Sequence, residues 1–126
     1  MNLTHIALVV RDYDEAIAYF CDRLGFQLLE DTRISEHKRW VLVAPKGSQC
    51  SILLAKAKNE EEEKAIGNQT RGRVFLFLET DDFWRDYRSY QKQGVEFIEL
   101  PREEDYGTVV VFQDLYGNKW DLIQRR

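Results

Sequence analysis

The feature that most constrains this chain is an internal repeat. The stretch from His5 to Phe20 matches the stretch from Phe75 to Tyr90 at a shift of 70 residues, and Gly47 and Gly117 stand at the same shift. Self-similarity at a fixed shift means one supersecondary unit used twice. Each copy opens with an apolar strand (HIALVV; FLFLET) and reaches an Asp, after which apolar residues recur at three-to-four spacing, the period of a helix.

Asp12 stands where an N-cap accepts backbone N–H bonds, and Glu15 completes a capping-box spacing. Ala16, Ile17, Phe20 and Leu24 then form the stripe predicted to be buried, and Gly25 ends the helix. In the second copy Asp82 takes the cap, Phe83, Trp84, Tyr87 and Tyr90 supply the stripe, and Gly94 stops it. Arg85 replaces the box Glu, so this second cap is expected to be the weaker. Each Gly is followed by a short strand (FQLLED; VEFIEL), a polar segment and a β-rich hairpin with a Gly turn (KRWVLVAPKGSQCSILLA; GTVVVFQDLYGNKWDLIQ). The predicted order in both halves is strand, helix, strand, strand, strand. This is an α+β chain of two βαβββ modules, at about 1–57 and 73–126, with a polar linker at about 58–72. The Glu60 to Glu63 run in that linker reads as a solvated face.

At 126 residues one domain is expected, and 44% hydrophobic with 32% charged residues is ordinary for a globular chain. Eighteen basic residues against 22 acidic ones give a net charge of -4 with no Lys/Arg stripe, which argues against nucleic acid as a partner. The N-terminal apolar run is broken by Arg11, Asp12, Asp14 and Glu15 before it could act as a signal segment or span a bilayer, so no membrane attachment and a cytoplasmic location are expected. Cys21 and Cys50, without CxxC spacing, read as reduced, packed thiols.

Three segments, THIALVVRDYDEAIAYFCDRLGF, FLFLETDDFW and DLYGNKWDLIQ, carry a resemblance over essentially the whole chain. The sequence resembles the vicinal-oxygen-chelate superfamily, the glyoxalase/bleomycin-resistance/dioxygenase group. Its terminal segment is similar to that family's D-P-x-G-N-x-x-E-L ending, with Leu115 for the usual Pro and Asp121 for the usual Glu. The resemblance implies two tandem βαβββ modules forming a curved mixed β-sheet around a small-molecule cleft, with helices packed outside. It also implies a homodimer.

Metal-using relatives take one ligand near the start of the first strand and one near the start of the last strand of each module. The resemblance places these positions at His5, Ser51, Phe75 and Asp121. Strand alternation agrees on the faces: His5, Ala7 and Val9 point to the cleft while Ile6, Leu8 and Val10 pack under the helix, and Phe75, Phe77 and Glu79 oppose Leu76 and Leu78 in the same way. His5 and Asp121 are good donors, Ser51 offers a weak hydroxyl, and Phe75 offers nothing. A facial-triad iron site needs two His, which these positions do not supply.

Glu79, four residues and about 13 Å beyond Phe75 on the same face, is the available substitute. The candidate metal set is therefore His5, Glu79 and Asp121, for a divalent Zn, Ni, Mn, Co or Fe ion. Glu79 is also the candidate catalytic base, and Ser51, Phe75 and Phe77 are expected to line the cleft. Two functions stay open: a metal-dependent lyase or isomerase of the glyoxalase type acting on vicinal oxygens, or a metal-free bleomycin-resistance-like protein binding a small aromatic ligand. Fold alone does not choose between them.

Metal-free partners are equally conceivable for these side chains: His5 hydrogen-bonded to Asp121, and Glu79 ion-paired to a rim cation such as Arg73. His37 reads as an exposed turn residue. Lys38 and Arg39 either recognise an acidic substrate or form a charged hairpin edge that blocks strand association, the commoner use of such residues. Trp40, Trp84 and Trp120 are apolar mass first, with some of them available to an aromatic cleft.

Overall fold

The predicted order of strand, helix and three strands is realised in the first half of the chain, and in the second with one additional short strand after the helix. The computed structural model describes residues 1–126, which group into two units, Met1–Ile66 and Gly67–Arg126. In the first, strand β1 (His5–Val10) leads into helix α1 (Tyr13–Ala18), which continues as a π-helical turn over Tyr19–Arg23. Strands β2 (Gln27–Arg33), β3 (Arg39–Ala44) and β4 (Ser51–Lys56) follow, and the acidic stretch after them carries helix α2 (Glu60–Ala65). The sheet order is β1-β4-β3-β2, with β1 and β4 parallel and the other pairs antiparallel.

The second unit runs from β5 (Val74–Glu79) through α3 (Phe83–Lys92) to β6 (Glu96–Phe97), β7 (Arg102–Glu104), β8 (Gly107–Gln113) and β9 (Lys119–Arg125). Its order is β5-β9-β8-β6, with β7 also pairing β8 and with β5 and β9 parallel. Both sheets are mixed, as the repeat requires. A first strand can lie parallel to a fourth only because a helix carries the chain back.

Local chemistry explains the helix starts. The Asp12 carboxylate accepts from the Glu15 N–H at 2.9 Å, and that of Asp82 from the Arg85 N–H at 3.2 Å, the longer bond falling at the cap without a box Glu. Helix α2 is capped by Asn59, and Glu60 to Glu63 fill its first turn, where the positive end of the helix dipole favours carboxylates.

Each unit buries one sheet face under its own helix. In the first, Leu8, Val10, Val41, Val43 and Leu54 meet Ala16 and Phe20; in the second, Phe112, Trp120 and Leu122 meet Phe83 and Tyr87. Of the predicted stripes, Ala16, Phe20, Leu24, Phe83 and Tyr87 are buried, Ile17 and Tyr90 are half-buried, and Trp84 is 43% exposed. Trp84 sits beside the buried face, edge-on to Phe83 and Tyr87, with the Arg88 guanidinium over its ring. No helix is long and apolar enough to cross a membrane.

Candidate functional site

The open face of the first sheet carries the residues that alternation assigned to it. His5, Ala7 and Val9 on β1 pair in register with Ser51, Leu53 and Ala55 on β4, and Leu42 of β3 joins them opposite Leu53. The His5 Nδ1 lies 2.7 Å from the Ser51 hydroxyl, which itself lies 3.3 Å from the Thr4 carbonyl. With the hydroxyl proton on that carbonyl, Nδ1 carries the hydrogen of its bond and Nε2 keeps the ring's lone pair. The partner of His5 is therefore a buried serine one strand away.

The second unit departs from this pattern at one place. A bulge between Val74 and Leu76 leaves Phe75 without a register partner, and Phe77 stands across from Asp121. A bulge inserts one residue and re-aims the side chains around it. Phe77 is 65% exposed on the open face. Glu79 stands across from Ile123, two residues along, and its carboxylate pairs with Arg125 at 3.1 Å rather than with Arg73. Both side chains of that pair are largely exposed, so the pair adds little stability.

Asp121 is the least satisfied polar group of the second face. Its Oδ1 is buried with no hydrogen-bond partner. Burial pushes its carboxyl above the ordinary value, the Arg102 charge pulls it back, and Glu99 adds to the rise. Arg102 is itself held by Glu99 at 2.7 Å and Glu104 at 2.8 Å. His5 belongs to the first unit and Glu79 and Asp121 to the second, and in neither unit do three His, Cys, Asp or Glu side chains form a group able to hold a metal ion.

The feature that sequence reasoning missed is a cavity of about 450 Å³ contained in the first unit. Its apolar wall is built by Tyr13, Trp40, Leu53, Leu54 and Ala55, and its rim by Lys38, Arg39, Lys56, Lys58, Glu62 and His37. Period-two alternation could have found part of it, because Leu53 and Ala55 follow Ser51 on the open face. Tyr13 and Lys58 come from distant stretches, which no local pattern joins. His5 adjoins this wall, its ring meeting that of Trp40 edge-on at 6.0 Å.

The wall is held rigidly at Arg39. Its guanidinium grips Asp31 through two bonds of 3.0 and 2.7 Å, reaches Asp14 at 2.9 Å, and lies 5.2 Å from the centre of the Tyr13 ring. Those bonds hold the Asp31 carboxyl below its ordinary value. Lys38 precedes β3, and Arg39 pairs with Arg33 of β2, while the pairing of β3 with β4 begins at Val41.

Comparison with known proteins agrees with the fold. The model of the Glyoxalase/Bleomycin resistance protein/Dioxygenase superfamily matches residues 2–122. An uncharacterized protein of Shewanella frigidimarina is 58% identical over 125 residues, covering 98% of this chain and 93% of its own. Among solved structures, UcmS2 is similar with a TM-score of 0.85 at 27% identity, over 98% of this chain and 97% of that one. TnmS3, described as an antibiotic binding protein from Streptomyces sp. CB03234, gives a TM-score of 0.79 at 28% identity, over 100% and 97%. With its family model spanning both modules, the chain belongs to the glyoxalase/bleomycin resistance protein/dioxygenase superfamily.

Proposed function

We propose that this chain is a small-molecule-binding protein that holds a planar, aromatic ligand without a resident metal ion. The observation that carries the reading is the cavity of the first unit. Its volume of about 450 Å³ falls in the range of ligand pockets, and its wall sets the Trp40 ring beside the aliphatic Leu53 and Ala55. Rings of this kind contribute large apolar area and stack on planar groups. The similarity to TnmS3, an antibiotic binding protein, supports a binding role over a catalytic one.

The donor set does not fit a catalytic metal. Such a site usually keeps three protein ligands and an open position. At the four family positions this chain offers one imidazole whose Nδ1 is bonded to a serine, that serine's weakly coordinating hydroxyl, a phenyl ring with no donor atom, and the single carboxyl of Asp121, two strong donors rather than three. Glu79, the substitute, is turned to Arg125. No lyase or isomerase step is therefore assigned to Glu79. A cytoplasmic setting fits the two unbridged cysteines, Cys21 and Cys50. Self-association belongs to the same reading, since β2 is an edge strand exposed along its whole length.

Titration with neutral planar aromatics, read by tryptophan fluorescence, tests the binding reading. Saturable quenching by at least one ring system is expected, lost in both Trp40→Ala and Leu53→Glu. Absence of saturable binding across the panel, or binding that survives both substitutions, would overturn it.

A further inference from the structure

The cavity of the first unit carries a charge opposite to that of the chain. The protein as a whole has a net charge of -4, yet this lining sets Lys38, Arg39, Lys56 and Lys58 against the single carboxylate of Glu62. The balance within the lining is accounted for residue by residue. Arg39 is taken up by Asp14 and Asp31, and Lys58 faces Glu62 at 3.9 Å. Lys38 and Lys56 remain on the rim of an apolar, aromatic wall with no further carboxylate in that lining; Lys56 also borders a neighbouring hollow lined by Arg11 and Glu63.

We infer that the ligand of this cavity is an aromatic anion: a planar ring system bearing a carboxylate or an equally acidic group. The inference rests on the binding reading above and adds the charge of the ligand to it. A ring lying against Trp40 and Leu53 would bring an acidic substituent to the rim, where Lys38 and Lys56 stand. Charges lining a concave surface with low-dielectric walls focus their field into it, so the lysines attract an anion more strongly there than on a flat surface. A cationic ligand would meet them as like charges, and a neutral one would gain nothing from them.

The experiment compares three ligands that share one ring system: 2-naphthoate, 2-naphthamide and 2-naphthylmethylammonium. Binding to the full chain is measured by calorimetry at about 50 mM and about 1 M salt, where screening lengths differ severalfold. At low salt 2-naphthoate is expected to bind about tenfold more tightly than 2-naphthamide, about threefold for each partly exposed ammonium, with the ammonium ligand weakest. High salt should shrink that ratio. In the double variant Lys38→Met, Lys56→Met the ratio of naphthoate to naphthamide affinity should fall to about one, while Lys92→Met, on α3 of the second unit, should keep it. Equal affinity of naphthoate and naphthamide, or preference for the ammonium ligand, overturns the charge inference and leaves the binding reading standing. An undiminished ratio in the double variant overturns the assignment to these two lysines. Failure of all three ligands to bind overturns the charge inference, and the panel of neutral aromatics then decides the binding reading separately.

Discussion

The two modules close their last hairpin with different chemistry. In the second, the Asp114 carboxylate is buried and accepts from the Tyr116 and Asn118 backbone N–H groups, the Asn118 amide and the Trp120 indole, at 2.9 to 3.2 Å. In the first, the residue 70 positions earlier is Ala44, and Ser48 and Cys50 stand where Asn118 and Trp120 do. There the turn is held by the Ser48 hydroxyl donating to the Cys50 carbonyl and by the Ser48 N–H on the Pro45 carbonyl. Both turns keep a glycine at positive φ, 81° at Gly47 and 97° at Gly117, which is the backbone requirement they share. The lesson is that duplication preserves the backbone path, while side-chain chemistry at equivalent positions is free to diverge. The second module uses its turn to lock Trp120 into the core, directly before Asp121. The first keeps smaller side chains at those places, ahead of a strand whose Leu53 and Ala55 line a cavity.

The largest effect is expected from removing the hub of the second turn. Asp114→Ala deletes a charged acceptor and strands several buried donors, at a cost of about 4 kcal/mol, read as a shift of the urea midpoint. The reverse exchange, Ala44→Asp, places a carboxylate in a nearly fully buried position with no such donors and should cost about 3 kcal/mol. Were Ala44→Asp neutral, the two turns would be more alike than their hydrogen bonds indicate.

A smaller effect separates the acids of the two units by sign. Asp31 is held below its ordinary value of 3.8, first by its hydrogen bonds to Arg39, so its contribution is complete above that pH and is lost as pH falls through the lowered value. Asp121 is raised above 3.8, first by burial, so its favourable contribution exists below that pH and is lost as pH rises through the raised value. At pH near 7, Asp31→Asn should therefore destabilise by about 0.5 kcal/mol after allowance for solvent screening, and Asp121→Asn should stabilise by a similar amount. Denaturant midpoints at neutral pH and at pH about 3 check both signs, since each difference should shrink or reverse in acid. The smallest expected effect is none: Zn, Ni, Mn, Co or Fe added to stripped protein should leave the melting temperature in place. A shift abolished by His5→Ala would restore the metal-dependent reading, because a ligand of the native state stabilises by mass action.

Much of the fold was legible because its signals are local. Alternation placed His5, Ala7 and Val9 on one face and Leu8 and Val10 on the other, and both Asp caps followed from their spacing to the helices. Other features depend on contacts between distant residues. The bulge at Phe75 carries no glycine to announce it, and the register that puts Phe77 beside Asp121 is set by pairing between distant strands. The π-helical turn after Ala18 falls inside a stripe that reads as ordinary helix, and its Phe20 is buried all the same. Of the candidate site, His5 and Ser51 pair in register on one face, and their bond to each other was not foreseen. The cavity stayed hidden because Tyr13, Trp40, Leu53 and Lys58 belong to separate elements that only the folded sheet assembles.

The most direct test of binding in the first unit is an amide and indole NMR titration of the isotope-labelled chain with 2-naphthoate. The expected result is a set of shifts that saturate together at the Trp40 indole and along Leu53 to Lys56, with the Phe77 and Asp121 amides unmoved. Shifts centred on Phe77 and Asp121, or none at Trp40, would contradict it.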